Sequence, residues 1–295
     1  MRVFLDYDQA ALDRAYDQAV WAPNRQTVLD RRAAAADAVR ARLGEPKRYA
    51  YGRTAIERLH VHPTSAARAP VLVFLHGGAW RSGDADSQAY AAETFIRAGA
   101  HWVVPDFATV MEVGLDGMVD QVRRAVAWVA RHAADFAGDP ARLYVAGHSS
   151  GAHLAANVLV TDWPADFGLP ADVVKGALCV SGMYDLRPVR LSARSSYVRF
   201  DDRIEHELSP LRHLGRLTCP VTVAYAERDS PEFQRQSREF AEALERLGRL
   251  RRLVVAAGLN HFEIPETLAT PEGLLGREAL DLMGLVGDQE PRPGR

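Results

Sequence analysis

A serine held between two glycines, in Gly147-His148-Ser149-Ser150-Gly151, carries the clearest chemistry in this chain. Arg142-Leu143-Tyr144-Val145-Ala146 before it is a short apolar strand pattern, and Ala152 to Leu159 after it reads as a buried helix. A strand that turns sharply into a helix at a serine needs neighbours without bulk, and the turn pushes the hydroxyl out above the sheet. The spacing alone is weak; the strand before and the helix after give it meaning. A serine hydroxyl attacks only when a neighbouring base takes its proton, and that base must itself be oriented. His261, in Gly258-Leu259-Asn260-His261-Phe262 beyond the last strand, is the candidate base. Asp229 follows the strand ending at Tyr225-Ala226 and is the candidate acid. Because Ser230-Pro231 opens a helix there, a plain helix cap is the competing role for Asp229. Asp201, Asp202 and Glu227 are the competing acids.

Acyl transfer also needs donors aimed at the developing oxyanion, each worth ~3 kcal/mol of barrier. His76-Gly77-Gly78-Ala79-Trp80 follows an apolar run, and glycines there free the backbone to turn its amides inward. The Gly77, Gly78 and Ser150 amides are the expected oxyanion donors, with His76 a ring that props the loop. His60 and His62 share one strand face, but no partner stands at a telling spacing, so no metal or other cofactor is expected. His148 and His153 are expected to pack.

The elements that position these residues alternate along the chain. Helix-favouring sequence runs from about Gln9 to Leu43, broken at Ala22-Pro23-Asn24, with Asn24 as cap of the second helix. Strands are expected at Glu57 to His62, Val71 to Leu75, His101 to Pro105, Arg142 to Ala146, Gly176 to Ser181, Val221 to Tyr225 and Leu253 to Ala256. Helices are expected at Gln88 to Ala98, Gly117 to Ala134, Ala152 to Thr161, Pro231 to Leu247 and near Pro271 to Leu285. This alternation predicts an α/β fold whose mostly parallel sheet is covered by helices on both faces. Ligands of such sheets sit at the carboxyl ends of the strands, where Ser149, Asp229 and His261 all fall. The expected layout is a single domain over residues 1–286. An N-terminal helical extension takes 1–48, a cap-like insertion takes 183–216, and 287–295 form a disordered tail.

Composition narrows the class. At 295 residues and 47% hydrophobic the chain can build a full core, and a net charge of −2 gives no reason to expect nucleic acid or an anionic membrane as partner. Cys179 and Cys219 are too few for a disulfide framework and sit in apolar contexts as free thiols. No signal-peptide core or membrane-length apolar run is read, so a cytoplasmic location is expected.

Taken together, these segments resemble the serine-hydrolase type of kynurenine formamidase (arylformamidase) within the esterase/lipase-like α/β-hydrolases. The resemblance covers most of the chain. It rests on Tyr16-Asp17-Gln18, Tyr51-Gly52, the loop His76 to Trp80 with Gly83-Asp84, and the elbow with Ala152-His153-Leu154. Ser181-Gly182-Met183-Tyr184-Asp185-Leu186, Ser209-Pro210-Leu211 and Asp229-Ser230-Pro231-Glu232-Phe233-Gln234-Arg235-Gln236-Ser237 extend it. Three positions depart from the pattern: Ser150 stands for a small residue, Ala79 for an aromatic, and Asn260 precedes the histidine. The resemblance implies an α/β-hydrolase fold with the triad order Ser149, Asp229, His261. It also implies hydrolysis of an N-formyl aryl amide, such as N-formylkynurenine or a substituted relative, through a formyl-serine. Trp80, Tyr184, Tyr197 and Phe262 would line an aromatic pocket, and Arg187, Arg190, Arg194 or Arg199 would pair a substrate carboxylate unless they form a solvated surface. The expected partner is therefore a small aromatic molecule, with a homodimer allowed. A broad short-chain carboxylesterase with the same triad is the alternative, and a non-catalytic ligand-binding protein is disfavoured by the complete triad.

Overall fold

Residues 1–286 are described by a computed structural model in which eight strands form one sheet. The strands are β1 (Lys47–Ala50), β2 (Arg58–His62), β3 (Ala69–Leu75), β4 (His101–Pro105), β5 (Gly138–His148), β6 (Gly176–Val180), β7 (Val221–Ala226) and β8 (Leu250–Ala256). The helices are α1 (Gln9–Ala15), α2 (Gln18–Trp21), α3 (Arg25–Leu43), α4 (Ala92–Arg97), α5 (Val110–His132) and α6 (Ser150–Leu159). They continue with α7 (Trp163–Phe167), α8 (Leu186–Leu191), α9 (Asp202–Glu207), α10 (Pro231–Arg246) and α11 (Leu274–Leu282). Strand order is β1-β2-β4-β3-β5-β6-β7-β8. From β4 to β8 every pairing is parallel, while β2 runs antiparallel to both β1 and β4.

All seven residues of β3 are buried because both faces of the sheet are covered. Alternation divides its side chains. Val71, Val73 and Leu75 pack with Met118 and Val122 of α5, Leu154 and Val158 of α6, and Phe233 and Phe240 of α10. Leu72 and Phe74 face the opposite way, toward Ala36 and Val39 of α3, Phe95 of α4 and Ala279 of α11. At ~1.5–3 kcal/mol for each fully buried large aliphatic or aromatic side chain, this double burial fixes β3 and β5 at the centre. Their ends hold the glycine loop and the elbow.

The structure departs from the sequence reading at several elements. Strand β1 was not expected; it begins at Lys47, so the N-terminal extension ends before residue 48. Helix α7 was also missed. The helix expected from Gly117 starts at Val110, with a Thr109–Glu112 capping box, and breaks at Gly114, where φ is 73°. The helix expected from Gln88 is a 3-10 turn at Asp86–Ala91 followed by α4. The helix expected near Pro271 to Leu285 is α11, nine residues long. Asn24 precedes α3 but makes no capping bond; its side chain reaches Glu263 and Asn260 beside His261. The expected disordered tail lies outside the described residues. No helix among the described residues is long and apolar enough to cross a membrane.

Candidate active site

The turn from β5 into α6 leaves Ser149 at φ 58°, ψ −125°, a conformation costing ~1–3 kcal/mol for a residue with a side chain. Its glycine neighbours are obligatory. A Cβ at Gly147 would stand 2.2 Å from the Gly151 carbonyl oxygen, and one at Gly151 would stand 2.0 Å from that of Leu75. The crowding holds the elbow against the end of β3. The Ser149 hydroxyl donates to His261 Nε2 at 2.9 Å, and His261 Nδ1–H donates to Asp229 Oδ1 at 2.7 Å. The second Asp229 oxygen accepts from the Ser181 hydroxyl at 2.6 Å and the Ala226 amide at 2.9 Å. All three residues are buried. The carboxylate is thus pinned at both oxygens, which fixes its hydrogen bond to the imidazole.

The competing acids have other partners. Asp201 caps α9, Asp202 pairs with Arg190, and the Glu227 carboxylate accepts the Gly258 amide. Asp229 does not cap α10; Ser230 stands at the cap position and donates from its hydroxyl to the Ala15 carbonyl.

The glycine loop passes directly over the elbow. A Cβ at Gly77 would meet the His148 carbonyl at 2.9 Å and the Ser149 Cβ at 3.1 Å. Gly78, Ala79 and Trp80 take positive φ values of 130°, 55° and 62°. Trp80 spends its amide on the Ser150 hydroxyl at 3.2 Å, so the serine found after the nucleophile ties the loop to the elbow. The amides of Gly77, Gly78, Ala79 and Ser150 have no acceptor of their own among the described residues. Ala79 was not among the donors expected from sequence; its positive φ is a tertiary feature without a sequence signal. His76 stacks on Phe107 at 4.3 Å and donates from Nδ1 to the Gly77 carbonyl, while burial lowers its pKa.

A cavity of about 570 Å³ opens over these groups. Gly77, Gly78, Ala79, His148, Ser149, His261, Tyr197 and Phe262 all line it. Two expected pocket residues do not. Tyr184 is fully buried and stacks on Phe240 at 3.9 Å, in the core beneath the insertion. Trp80 lies under the loop, where its indole N–H donates to His153 Nδ1 at 3.3 Å. His153 Nε2–H in turn donates to the Leu208 carbonyl at 2.8 Å, and burial lowers this neutral ring's pKa to about 4. His148, expected only to pack, faces the cavity with its ring 4.6 Å from that of His261. Burial, then the His261 ring, hold its pKa well below the usual range.

The far wall belongs to the N-terminal extension. Asp13, Tyr16, Asp17, Gln18, Arg25 and Arg32 reach the cavity from α1 to α3 and their links. The acid-loop helix holds this wall in place. Glu232 accepts from the Tyr16 hydroxyl at 2.8 Å, Gln236 donates to the same oxygen at 2.7 Å, and Gln18 donates to Ser230 at 2.9 Å. The Gln236 carbonyl also accepts the Tyr184 and Asp185 amides at the start of the insertion. His60, weighed as a metal ligand, sits between Asp86 at 3.0 Å and Asp106 at 3.1 Å, partners that the linear spacing did not reveal.

The sheet order, the strained elbow and the hydrogen-bonded serine, histidine and aspartate define an α/β-hydrolase of the esterase/lipase type. The family model BD-FAE matches residues 59–167. A protein of Danio rerio described as kynurenine formamidase is 35% identical over 79% of this chain and 80% of its own length. One of Salmo salar with the same description is 33% identical over 79% and 80%. A solved structure from Silicibacter sp. TM1040, described as a thioesterase candidate, superposes with a TM-score of 0.80 at 25% identity, covering 90% of this chain and 97% of that one. This chain belongs to the kynurenine formamidase family.

Proposed function

We propose that this protein is an arylformamidase that hydrolyses N-formylkynurenine, or a ring-substituted relative, to the free arylamine and formate. The observation that carries the reading is the unbroken series Ser149–His261–Asp229, opening on a cavity wide enough for an aryl group in a member of this family. His261 takes the Ser149 proton as Oγ attacks the formyl carbon, and Asp229 stabilises the imidazolium that forms. The amides of Gly77, Gly78 and Ser150, joined by that of Ala79, hold the tetrahedral oxyanion. His261 then gives its proton to the departing aniline nitrogen, and the C–N bond breaks to leave formyl-Ser149. Water, deprotonated by His261, attacks this ester and releases formate. An arylamine leaves more readily than an alkylamine, and a formyl group needs little room. An esterase-like site is therefore sufficient for this amide.

Tyr197 and Phe262 contact the aryl group from the cavity wall. A cytoplasmic location is part of this reading, supported by the Cys179 and Cys219 thiols, which are both buried and free. Ser149→Ala and His261→Ala each lower kcat on N-formylkynurenine by roughly 10³-fold or more with folding intact. Formate and arylamine appear in equal amounts with the unaltered enzyme. Near-normal turnover by either variant would remove the mechanism.

A further inference from the structure

We propose that Arg194 makes this site select N-formyl aryl amides that carry a carboxylate, by pairing its guanidinium with that anion; the proposal rests on the formamidase reading above. Arg194 lies in the insertion, on the 3-10 turn Ala193–Ser196, and lines the catalytic cavity at only 7% exposure. Two of its five N–H donors are used, one on the Tyr16 carbonyl at 2.9 Å and one on the Tyr197 hydroxyl at 3.0 Å. Its Nε is enclosed and has no partner among the described residues. No carboxylate of the described residues pairs with it. The two acids on the same cavity are engaged elsewhere, Asp13 with the Ala193 amide and Gln9, and Asp17 with the Ala19 amide.

The other arginines of the insertion behave differently. Arg190 pairs with Asp202 and Glu205, Arg203 with Asp116 and Glu207, and Arg212 with Asp185 and Glu205, while Arg187, Arg199 and Arg216 are exposed. A buried cation without a counter-ion is costly, and leaving one in a substrate cavity makes sense when the substrate brings the anion. Arg25, Arg32 and Arg81 line the same cavity and also pair with no carboxylate of the described residues, but Arg25 and Arg81 are exposed and Arg32 half-buried, which leaves Arg194 as the buried one. Arg81 lies over the Tyr197 ring at 4.4 Å while Arg194 bonds the hydroxyl of the same tyrosine, so two guanidinium groups meet on one side chain. Placement also fits. The Arg194 guanidinium stands 6.0 Å from the Phe233 ring centre, and Phe233 meets the His261 ring edge-on at 5.0 Å. Phe233 thus touches both the cation and the general base from behind the cavity wall, which keeps the Arg194 guanidinium within reach of the far end of an aryl amide held at Ser149.

The test compares kcat/KM for N-formylkynurenine and its carboxamide in the unaltered enzyme, Arg194→Met and Arg194→Lys. The unaltered enzyme is expected to favour the carboxylate by at least about tenfold, or ~1.4 kcal/mol. Arg194→Met brings the ratio near one, and Arg194→Lys lies between. A ratio near one in the unaltered enzyme, or one unchanged in Arg194→Met, overturns the proposal. The same enzymes are run on 3-acetoxybenzoate and 3-acetoxybenzamide. If only these esters turn over, the formamidase reading falls, while their ratio still reports whether Arg194 selects an anion. Should Arg194→Met fail to fold, competitive inhibition of the unaltered enzyme decides. Kynurenine should bind at least tenfold more tightly than its carboxamide, and equal inhibition constants overturn the proposal.

Discussion

Ser181 shows how much of this site depends on residues that never meet the substrate. Its hydroxyl holds the second oxygen of Asp229, and its own φ is 47°, so the β6 end is bent to deliver that bond. A hydrogen bond to a buried charge is worth ~1.5–3 kcal/mol. Ser181→Ala should therefore lower kcat about 10- to 100-fold with KM little changed; a normal kcat would show that Asp229 is held without it. Gly151 makes a harder demand, since a Cβ there would overlap the Leu75 carbonyl. Gly151→Ala should cost at least the ~1–3 kcal/mol typical of overpacking, read as a lowered urea midpoint, and an unchanged midpoint would contradict the tight elbow. At this scale the elbow and the order of Ser149, Asp229 and His261 were legible in the sequence, because each residue ends a strand of recognisable pattern. The neutral tautomer of His153 and the place of His148 were not, because both depend on what lies across the fold.

The elements explain why the motif after Asp229 is long. Ser230, Glu232 and Gln236 of the acid-loop helix clasp Ala15, Tyr16 and Gln18, and so bind the N-terminal helices onto the cavity. The extension and the insertion at 183–216 form the cover together. The sequence alone points only to the insertion for that task, since helix periodicity says nothing about which distant surface a helix closes. It likewise placed Trp80 and Tyr184 in the pocket, because an aromatic near a catalytic loop has the same signature whether it faces substrate or core. Gln236→Ala removes the one acceptor shared by the buried Tyr184 and half-buried Asp185 amides and a donor to Tyr16, at ~1–3 kcal/mol for each unsatisfied buried group. The variant should melt several degrees lower and show a raised KM. An unchanged melting temperature would contradict the clasp.

Across the whole molecule, burial keeps several histidines neutral. The pKa of His62 is lowered to about 4 by burial and then by His60, that of His153 is lowered to about 4 by burial, and those of His76, His101 and His148 are lowered as well. An unfolded chain protonates these rings near 6.5, so between pH 6.5 and 4 it binds more protons than the folded state. Stability should therefore fall as pH drops through that window, by on the order of 3 kcal/mol for each of His62 and His153. Glu57, with its pKa lowered to about 2 by its bonds to Arg124 and Thr54 against the cost of burial, adds a further loss below the usual carboxylate range. Urea midpoints at pH 7.5 and pH 5 should differ, and equal midpoints would contradict the neutral core. The parallel sheet that carries all this is readable from alternation, β2 included; β1 is not, because a short exposed strand leaves little apolar signal, and the antiparallel direction of β2 has no mark in its own residues. Whether Ser149 attacks a formyl amide is decided by comparing kcat/KM on N-formylkynurenine with that on an activated acetate ester. The formyl amide should be favoured by at least ~10-fold; an enzyme that turns over the ester alone is not a formamidase.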